Sequence, residues 1–278
     1  MKGSRQEPPG YIHGTAAQEQ ERLKVLNRLT NPAFVEFLGI APGGRVLEVG
    51  SGLGLLAQDV AGTTKPSLTV GVELSSEQLA RAPRPSARLA FVQADAHRLP
   101  FTSGTFEVVY TRYLLEHVHD PQAVLGEIRR VLVPGGGVFL QENNILINAF
   151  DPACPAFDLV WKKFAELQRR LGGDAEIGKK LYRLLRESGF EDIRLTIAPE
   201  IHHAGMETYR PWVVNLLGNI RSGEEALIDR GFATRSQIDA AYAELERLMD
   251  DPGGSAFFYW NRAAARKPGA SDALVEWP

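Results

Sequence analysis

The chain has 278 residues, 44% of them hydrophobic and 23% charged, the balance of a soluble globular protein with one large or two small domains and not of a disordered, fibrous or membrane chain. Its 31 basic and 34 acidic residues leave a formal net charge of −3, so no global positive field is available to hold nucleic acid through its phosphates. Cys154 is the only cysteine. It permits neither an internal disulfide nor a cysteine-based zinc site, and no apolar run reaches membrane-span length; a cytoplasmic protein, neither exported nor inserted, is expected.

Residues 1–14 carry Pro8, Pro9, Gly10 and Gly14 and read as an irregular arm, after which Leu23, Leu26, Leu29 and Phe34 recur at helical spacing. Five strand-like runs follow: R-V-L-E-V-G at 45–50, L-T-V-G-V-E-L at 68–74, L-A-F-V-Q-A-D at 89–95, F-E-V-V-Y at 106–110 and G-V-F-L-Q at 137–141. Helical stretches at 53–61, 75–81 and 120–132 lie between them, and Pro134-Gly-Gly-Gly stops the last of these. Alternation of this kind specifies a parallel α/β sheet with right-handed crossovers. Helices are then expected at 156–171 and 178–188, a sixth strand at 190–197, helices at 206–220, 222–230 and 234–250, and a last strand at 256–261, antiparallel beside the sixth. The chain divides into an arm with lid helices (1–44), an α/β core (45–198), a helical cap inserted between the last two strands (199–253), and a last strand with its tail (254–278).

The stretch V-L-E-V-G-S-G-L-G at 46–54 runs an apolar strand into Gly50, Ser51, Gly52 and Gly54 and then into a helix. Glycines let the backbone turn sharply and approach a ligand, and the helix N-terminus offers unpaired N–H groups at the carboxyl edge of the sheet, where open α/β folds bind their ligands. The dinucleotide pattern G-x-G-x-x-G would need its third glycine at Leu55; the sequence instead has G-x-G-x-G. Glu48, just before the loop, is a poor neighbour for pyrophosphate and a suitable one for a cationic amino-acid group. Glu73, with Leu74 beside it, ends the second strand where a carboxylate accepts from ribose hydroxyls. Asp95 ends the third, where it can accept from an adenine amine while the Ala96 N–H faces a ring nitrogen. Together these residues describe adenosine joined to an amino acid.

On these residues the chain resembles class I S-adenosylmethionine-dependent methyltransferases of the group containing quinone-pathway C-methyltransferases and natural-product methyltransferases. The resemblance runs over about 45–142, through E-V-G-S-G-L-G, G-V-E-L, A-D-A-H-R-L-P-F, F-E-V-V-Y-T-R-Y-L-L-E-H-V-H-D and V-L-V-P-G-G-G. It implies a Rossmann-like seven-stranded, mostly parallel sheet with an antiparallel last strand and helices on both faces, and S-adenosyl-L-methionine as cofactor. From Y-I-H-G at 11–14 and E-Q-E-R-L at 19–23 it further implies an N-terminal lid that brings Tyr11 near the cofactor. Thr111 and Arg112, at the exit of the fourth strand, are expected to touch that cofactor.

Methyl transfer from a sulfonium needs the nucleophile held against the methyl in a dry site, and a general base is optional. His117 is a candidate base, since imidazole titrates near neutrality; a packed turn histidine is the alternative. His202 and His203, opening the cap, could reach the pocket from above or lie exposed. No metal site is nominated. The Asn/Asp-Pro-Pro-aromatic signature of base amination chemistry is absent after the fourth strand, which favours a small ring-containing or hydrophobic acceptor, methylated at O, N or C, over nucleic acid or membrane partners; a homo-oligomer is compatible. A binding protein of the same fold without turnover and, less favoured, a nicotinamide oxidoreductase are the alternatives.

Overall fold

The structure, a computed structural model, describes residues 17–269; the Y-I-H-G segment with Tyr11, and the tail beyond 269, lie outside the described residues. Five parallel strands, β1 (Arg45–Val49), β2 (Leu68–Glu73), β3 (Leu89–Gln93), β4 (Phe106–Arg112) and β5 (Leu132–Glu142), pair in the order β3-β2-β1-β4-β5. Val46 to Val49 are all buried because helices cover both faces of a parallel sheet. Alternate side chains divide between them. Val46, Val108 and Tyr110 pack with Phe34, Leu38, Leu56 and Val60 of α1 (Ala17–Leu38) and α2 (Leu55–Thr63). Leu47, Val49 and Val109 pack instead with Leu125, Ile128, Leu181 and Leu185 of α4 (Pro121–Val131) and α6 (Leu181–Glu187).

α4 shows how the sequence fixes its element. Asp120 caps it by accepting from the Ala123 N–H, Pro121 takes the first turn where no N–H partner is needed, and Val124, Leu125, Ile128 and Val131 bury one face. Between β2 and β3 lies only the short α3 (Ser76–Leu79), capped by Ser75. Strand order runs in opposite directions from β1 to β2 and from β1 to β4, which opens a crevice above the carboxyl ends of these two strands.

β8 (Ser255–Arg266) runs antiparallel between β5 and β7 (Glu191–His203), as the sequence predicts for the last two strands. The sheet has eight strands and not seven, because β6 (Ala149–Asp151) adds three residues on the other side of the start of β8. β5 begins at Leu132, five residues before the expected 137: Leu132 already pairs with Phe106, and the register then shifts across the Pro-Gly-Gly turn. β7 continues to His203, which lies opposite Ser255, so His202 and His203 sit on a strand and not on an irregular opening of the cap. The helices expected at 206–220 and 222–230 are one, α7 (Tyr209–Asp229); the Ser222 hydroxyl donates back to the Asn219 carbonyl and is satisfied inside the helix. α5 (Pro155–Arg170), α7 and α8 (Arg235–Asp250) pack around Trp161, Phe164, Trp212, Leu216, Ile238 and Leu245, and α1 lies against α2 and α7.

Candidate active site

At the end of β1 the chain turns through Gly50, Gly52 and Gly54, with φ of 78°, 53° and 69°, a region that glycine enters without the Cβ penalty. The N–H groups of Gly50 and Ser51 both donate to the Val72 carbonyl at 2.8 Å, which holds the loop over β2. Glu73 continues the link: one carboxylate oxygen accepts from the Gly52 N–H (2.9 Å) and the other from the Ser75 N–H (2.8 Å). Each oxygen retains lone-pair capacity for a hydroxyl donor. Ser51 Oγ is buried at this turn with no hydrogen-bond partner among the described residues.

Along the same edge, Asp95 accepts from the backbone N–H of His97 (2.9 Å) and meets its Nδ1 at 2.7 Å, and His97 stacks on His119 at 4.3 Å between centroids. Partial burial raises the Asp95 pKa, but the bonds from His97 outweigh it and hold the carboxyl below its ordinary range. Glu48 faces the crevice from within β1. Burial pushes its carboxyl up to about 8, against the opposing pull of the Arg112 guanidinium and the 3.3 Å bond from the Tyr110 hydroxyl. Arg112, at the end of β4, donates to Thr30 Oγ1 (3.1 Å), Asn27 Oδ1 (2.5 Å) and Asn31 Oδ1 (2.6 Å), all on α1.

One cavity of about 1140 Å³ joins this acidic strip to a chamber under the cap. Trp161 and Phe164 of α5, Trp212 and Leu216 of α7, and Phe258 and Trp260 of β8 supply the chamber's apolar wall; Asn143, Asn148, Asn215 and Gln168 add carboxamides. Tyr113 joins the two halves in a left-handed conformation (φ 56°) that is costly for a side chain of its size. Its hydroxyl accepts from Gln141 Nε2 (2.7 Å) and its ring meets Trp260 at 4.5 Å. Glu116 is buried beside it, accepting from Asn143 Nδ2 (2.6 Å) and Gln168 Nε2 (3.3 Å). Among the described residues, no group of three or more His, Cys, Asp or Glu side chains could hold a metal ion, and no helix is long and apolar enough to cross a membrane.

Comparison with known proteins gives this edge a family. Residues 47–140 match the family model described as a methyltransferase domain. The chain carries a class I S-adenosylmethionine-dependent methyltransferase domain. It is 31% identical over 196 residues to an O-methyltransferase of Pyrenophora dematioidea, covering 66% of each chain. To the ubiquinone/menaquinone biosynthesis C-methyltransferase UbiE of Cupriavidus taiwanensis it is 28% identical, over 66% of this chain and 75% of the relative. A match to a sterol 24-C-methyltransferase of Gibberella zeae (29%) covers 66% of this chain and 48% of the relative. The chain thus spans between about half and three quarters of these relatives. Among solved structures, phosphoethanolamine N-methyltransferase 2 of Haemonchus contortus superposes with a TM-score of 0.53 at 20% identity, over 93% of this chain and 54% of that one. The cyclase SpnF superposes at 0.52 and 22% identity, over 94% and 90%. At these identities the likeness is one of fold.

Within the methyltransferase domain, the cavity is lined by Glu48, Gly50, Ser51, Gly52, Glu73, Leu74, Asp95, Ala96, Arg112 and His117 of the residues expected from the sequence. Two of the described cofactor candidates do not line it. At Gly54 a Cβ would come within 2.5 Å of the Phe91 ring, so this glycine admits packing against β3. Thr111 is fully buried and turns its hydroxyl to Glu142 Oε1 at 3.4 Å. His202 and His203 do not reach the cavity either. His202 lies behind its wall: its ring stacks on Trp212 at 4.7 Å, Nδ1 meets Thr208 Oγ1 (2.9 Å) and Nε2 meets Glu200 Oε2 (3.2 Å), while Glu200 Oε1 accepts from Trp260 Nε1 (2.8 Å). His203 is exposed.

Sequence reading passed over Gln168, Asn143 and Glu142. Gln168 was findable, since it follows Trp161 and Phe164 by seven and four positions and shares their helix face. Glu142 had no local signal. At the end of β5 it accepts from the N–H groups of Leu114 (3.2 Å) and Leu115 (2.9 Å), and so holds the segment that carries Glu116 and His117. Burial, with Glu116 adding to it, pushes the Glu142 carboxyl up to about 8.

Proposed function

We propose that this chain transfers the methyl group of S-adenosylmethionine to an O, N or C nucleophile of a small, ring-containing or hydrophobic acceptor seated in the aromatic chamber. The supporting observation is the continuity of one cavity from the glycine loop and its acids to a wall of Trp161, Phe164, Trp212, Phe258 and Trp260. Relatives named for oxygen and for carbon methylation leave the acceptor atom open.

When bound, S-adenosylmethionine supplies a methyl activated by a sulfonium for in-line displacement. The buried Ser51 hydroxyl, the left-handed glycines and the three acids Glu48, Glu73 and Asp95 that line the cavity fit such a group. Glu73 holds the ribose hydroxyls, Asp95 and the Ala96 N–H hold the adenine edge, and Glu48 faces the amino-acid end. The chamber's aromatic side chains exclude water and orient the acceptor, which raises its effective molarity at the methyl. For an acceptor that must lose a proton, His117 takes it. Its Nε2 lies 3.7 Å from Glu116 Oε1, so the imidazolium formed faces a carboxylate. His202 serves as a positioning residue, bracing Trp212 directly and Trp260 through Glu200. Residues 199–253 act as the substrate cap over the 45–198 core, in a cytoplasmic protein that needs no metal or nucleic acid.

Incubating the full chain with methyl-labelled cofactor and a metabolite extract tests this. Label entering a small-molecule fraction, abolished by Trp212→Ala, is the expected result. Calorimetric binding of S-adenosylmethionine with no transfer from any extract would favour the non-transferring binder, and binding of a nicotinamide dinucleotide in its place would favour the oxidoreductase.

A further inference from the structure

The polar groups of the acceptor chamber are not evenly mixed. Glu116, 3% exposed, lines the cavity in the segment after β4, and two carboxamides aim at it: Asn143 Nδ2 donates to Oε1 (2.6 Å), and Gln168 Nε2 donates to Oε2 and to the Glu116 carbonyl (both 3.3 Å). A carboxylate only accepts, so it decides which way both side chains turn, nitrogen toward Glu116 and carbonyl oxygen away. The Ile145 carbonyl does the same for Asn148, whose Nδ2 it accepts at 2.9 Å, and it takes the Trp161 indole N–H as well. Trp260 gives its N–H to Glu200, which does not line the cavity. These donors are spent on the protein itself. The carbonyl oxygens of Asn143, Asn148 and Gln168 accept nothing from the described residues, and none is sealed from solvent.

Charge points the same way. Among the described residues, the one basic side chain within ion-pair distance of Glu116 is His117, 3.7 Å away, an imidazole and not a fixed cation. Arg22 and Arg112 line the same cavity, but Arg22 bonds to Asn215 of α7 and Arg112 to α1. Beside Glu116, on the same face of α5 as Gln168, Trp161 and Phe164 stack at 5.2 Å between centroids, and aromatic side chains attract cations. We propose that the acceptor is a ring compound bearing a basic amine, held as its ammonium against Glu116 among the Asn143 and Gln168 carbonyl oxygens and these rings. This rests on the methyltransferase reading and narrows its acceptor class. An ammonium brings the N–H donors and the positive charge that this end of the chamber lacks. A carboxylate, phosphate or carbonyl would bring one more acceptor to a place already lined with them.

Three probes share a phenyl ring and a short arm and differ in the group that ends it: 2-phenylethylamine, 2-phenylethanol and 3-phenylpropionate. Their binding to the full chain at neutral pH is measured by calorimetry, with S-adenosylmethionine titrated in parallel. The amine is expected to bind at least about tenfold more tightly than the alcohol, and the carboxylate most weakly. Glu116→Gln, of the same shape, should erase the preference for the amine, and Gln168→Leu, which leaves Glu116 in place, should reduce it; circular dichroism reports whether each variant folds. Should Glu116→Gln not fold, the ranking on the native chain and the Gln168→Leu result decide. An alcohol that binds as tightly as the amine, a carboxylate that outranks it, an amine that does not bind, or a preference that survives Glu116→Gln would overturn the proposal. If S-adenosylmethionine binds and the amine has no advantage, the proposal fails alone; if S-adenosylmethionine does not bind, the methyltransferase reading fails with it.

Discussion

Glu48 links cofactor binding to pH. Burial holds its carboxyl near 8, so at neutral pH most molecules carry a proton there that the unfolded chain would have lost. A cationic α-ammonium arriving beside it favours the carboxylate and drives the proton off. Affinity should then rise by up to about tenfold per pH unit, about 1.4 kcal/mol, between about pH 6 and 7.5, as the proton no longer has to be expelled. Above about 7.7–8.0 the ligand's own α-ammonium loses its charge, and the rise should end. Calorimetry in two buffers of different ionisation heat reads both quantities. We expect release of close to one proton per cofactor near pH 6.5 in the native chain, and none, with a flat affinity profile, in Glu48→Gln. An affinity that changes less than about twofold over that interval, or an equal slope in both proteins, would refute the reasoning, because either result means that Glu48 does not change its charge on binding.

Other substitutions test separate parts of the site. Glu73→Ala removes the acceptor for Gly52 and Ser75 together with the ribose contacts; a loss of about 1.5–3 kcal/mol per charge-assisted bond is expected in calorimetry with S-adenosylmethionine, before water compensates. Glu142→Gln should change stability with a definite sign. The folded carboxyl titrates near 8 against 4.5 for its reference, so its favourable contribution is complete below about 4.5 and is lost as pH rises toward 8. Thermal melts should show the variant gaining on the native chain across that window, by at most roughly 5 kcal/mol. His117→Ala should depress turnover far more than cofactor affinity and alter the acidic limb of the pH profile. His202→Ala should act mainly on acceptor KM through the Trp212 and Trp260 wall, and His203→Ala should leave both unchanged.

Much of the cofactor edge was legible because each of its residues ends a strand of clear pattern. Gly50, Glu73 and Asp95 follow runs of apolar residues bounded by turn signals, and a parallel sheet brings such ends to one edge without further information. The chamber was less legible. Its aromatic residues arrive from α5, α7 and β8, up to 99 positions apart between Trp161 and Trp260, and local periodicity marks them as buried without saying what they are buried against. His202 was misjudged for a related reason: the short polar stretch 199–203 lacks strand alternation, and its extended conformation comes from pairing with β8, a non-local contact. Thr111 lies in β4 and Gly54 in the turn after β1, but their surroundings are set by Glu142 and Phe91, partners that spacing alone does not reveal.

The anchoring of α1 through Arg112 constrains how quickly ligands can leave. Arg22, Leu26 and Asn27 of that helix line the cavity, and its fastening to the tip of β4 consists of three charge-assisted bonds and the face of Phe34, 5.6 Å from the guanidinium carbon. Lifting the whole helix would break all of these together, on the order of 5–9 kcal/mol before water replaces them. At such a cost, fully detached molecules are well under one in a thousand. Exchange of product for fresh cofactor would therefore run through smaller displacements around a helix that stays docked, and weakening the anchor, as in Arg112→Lys, should shorten residence times while leaving the sheet beneath intact.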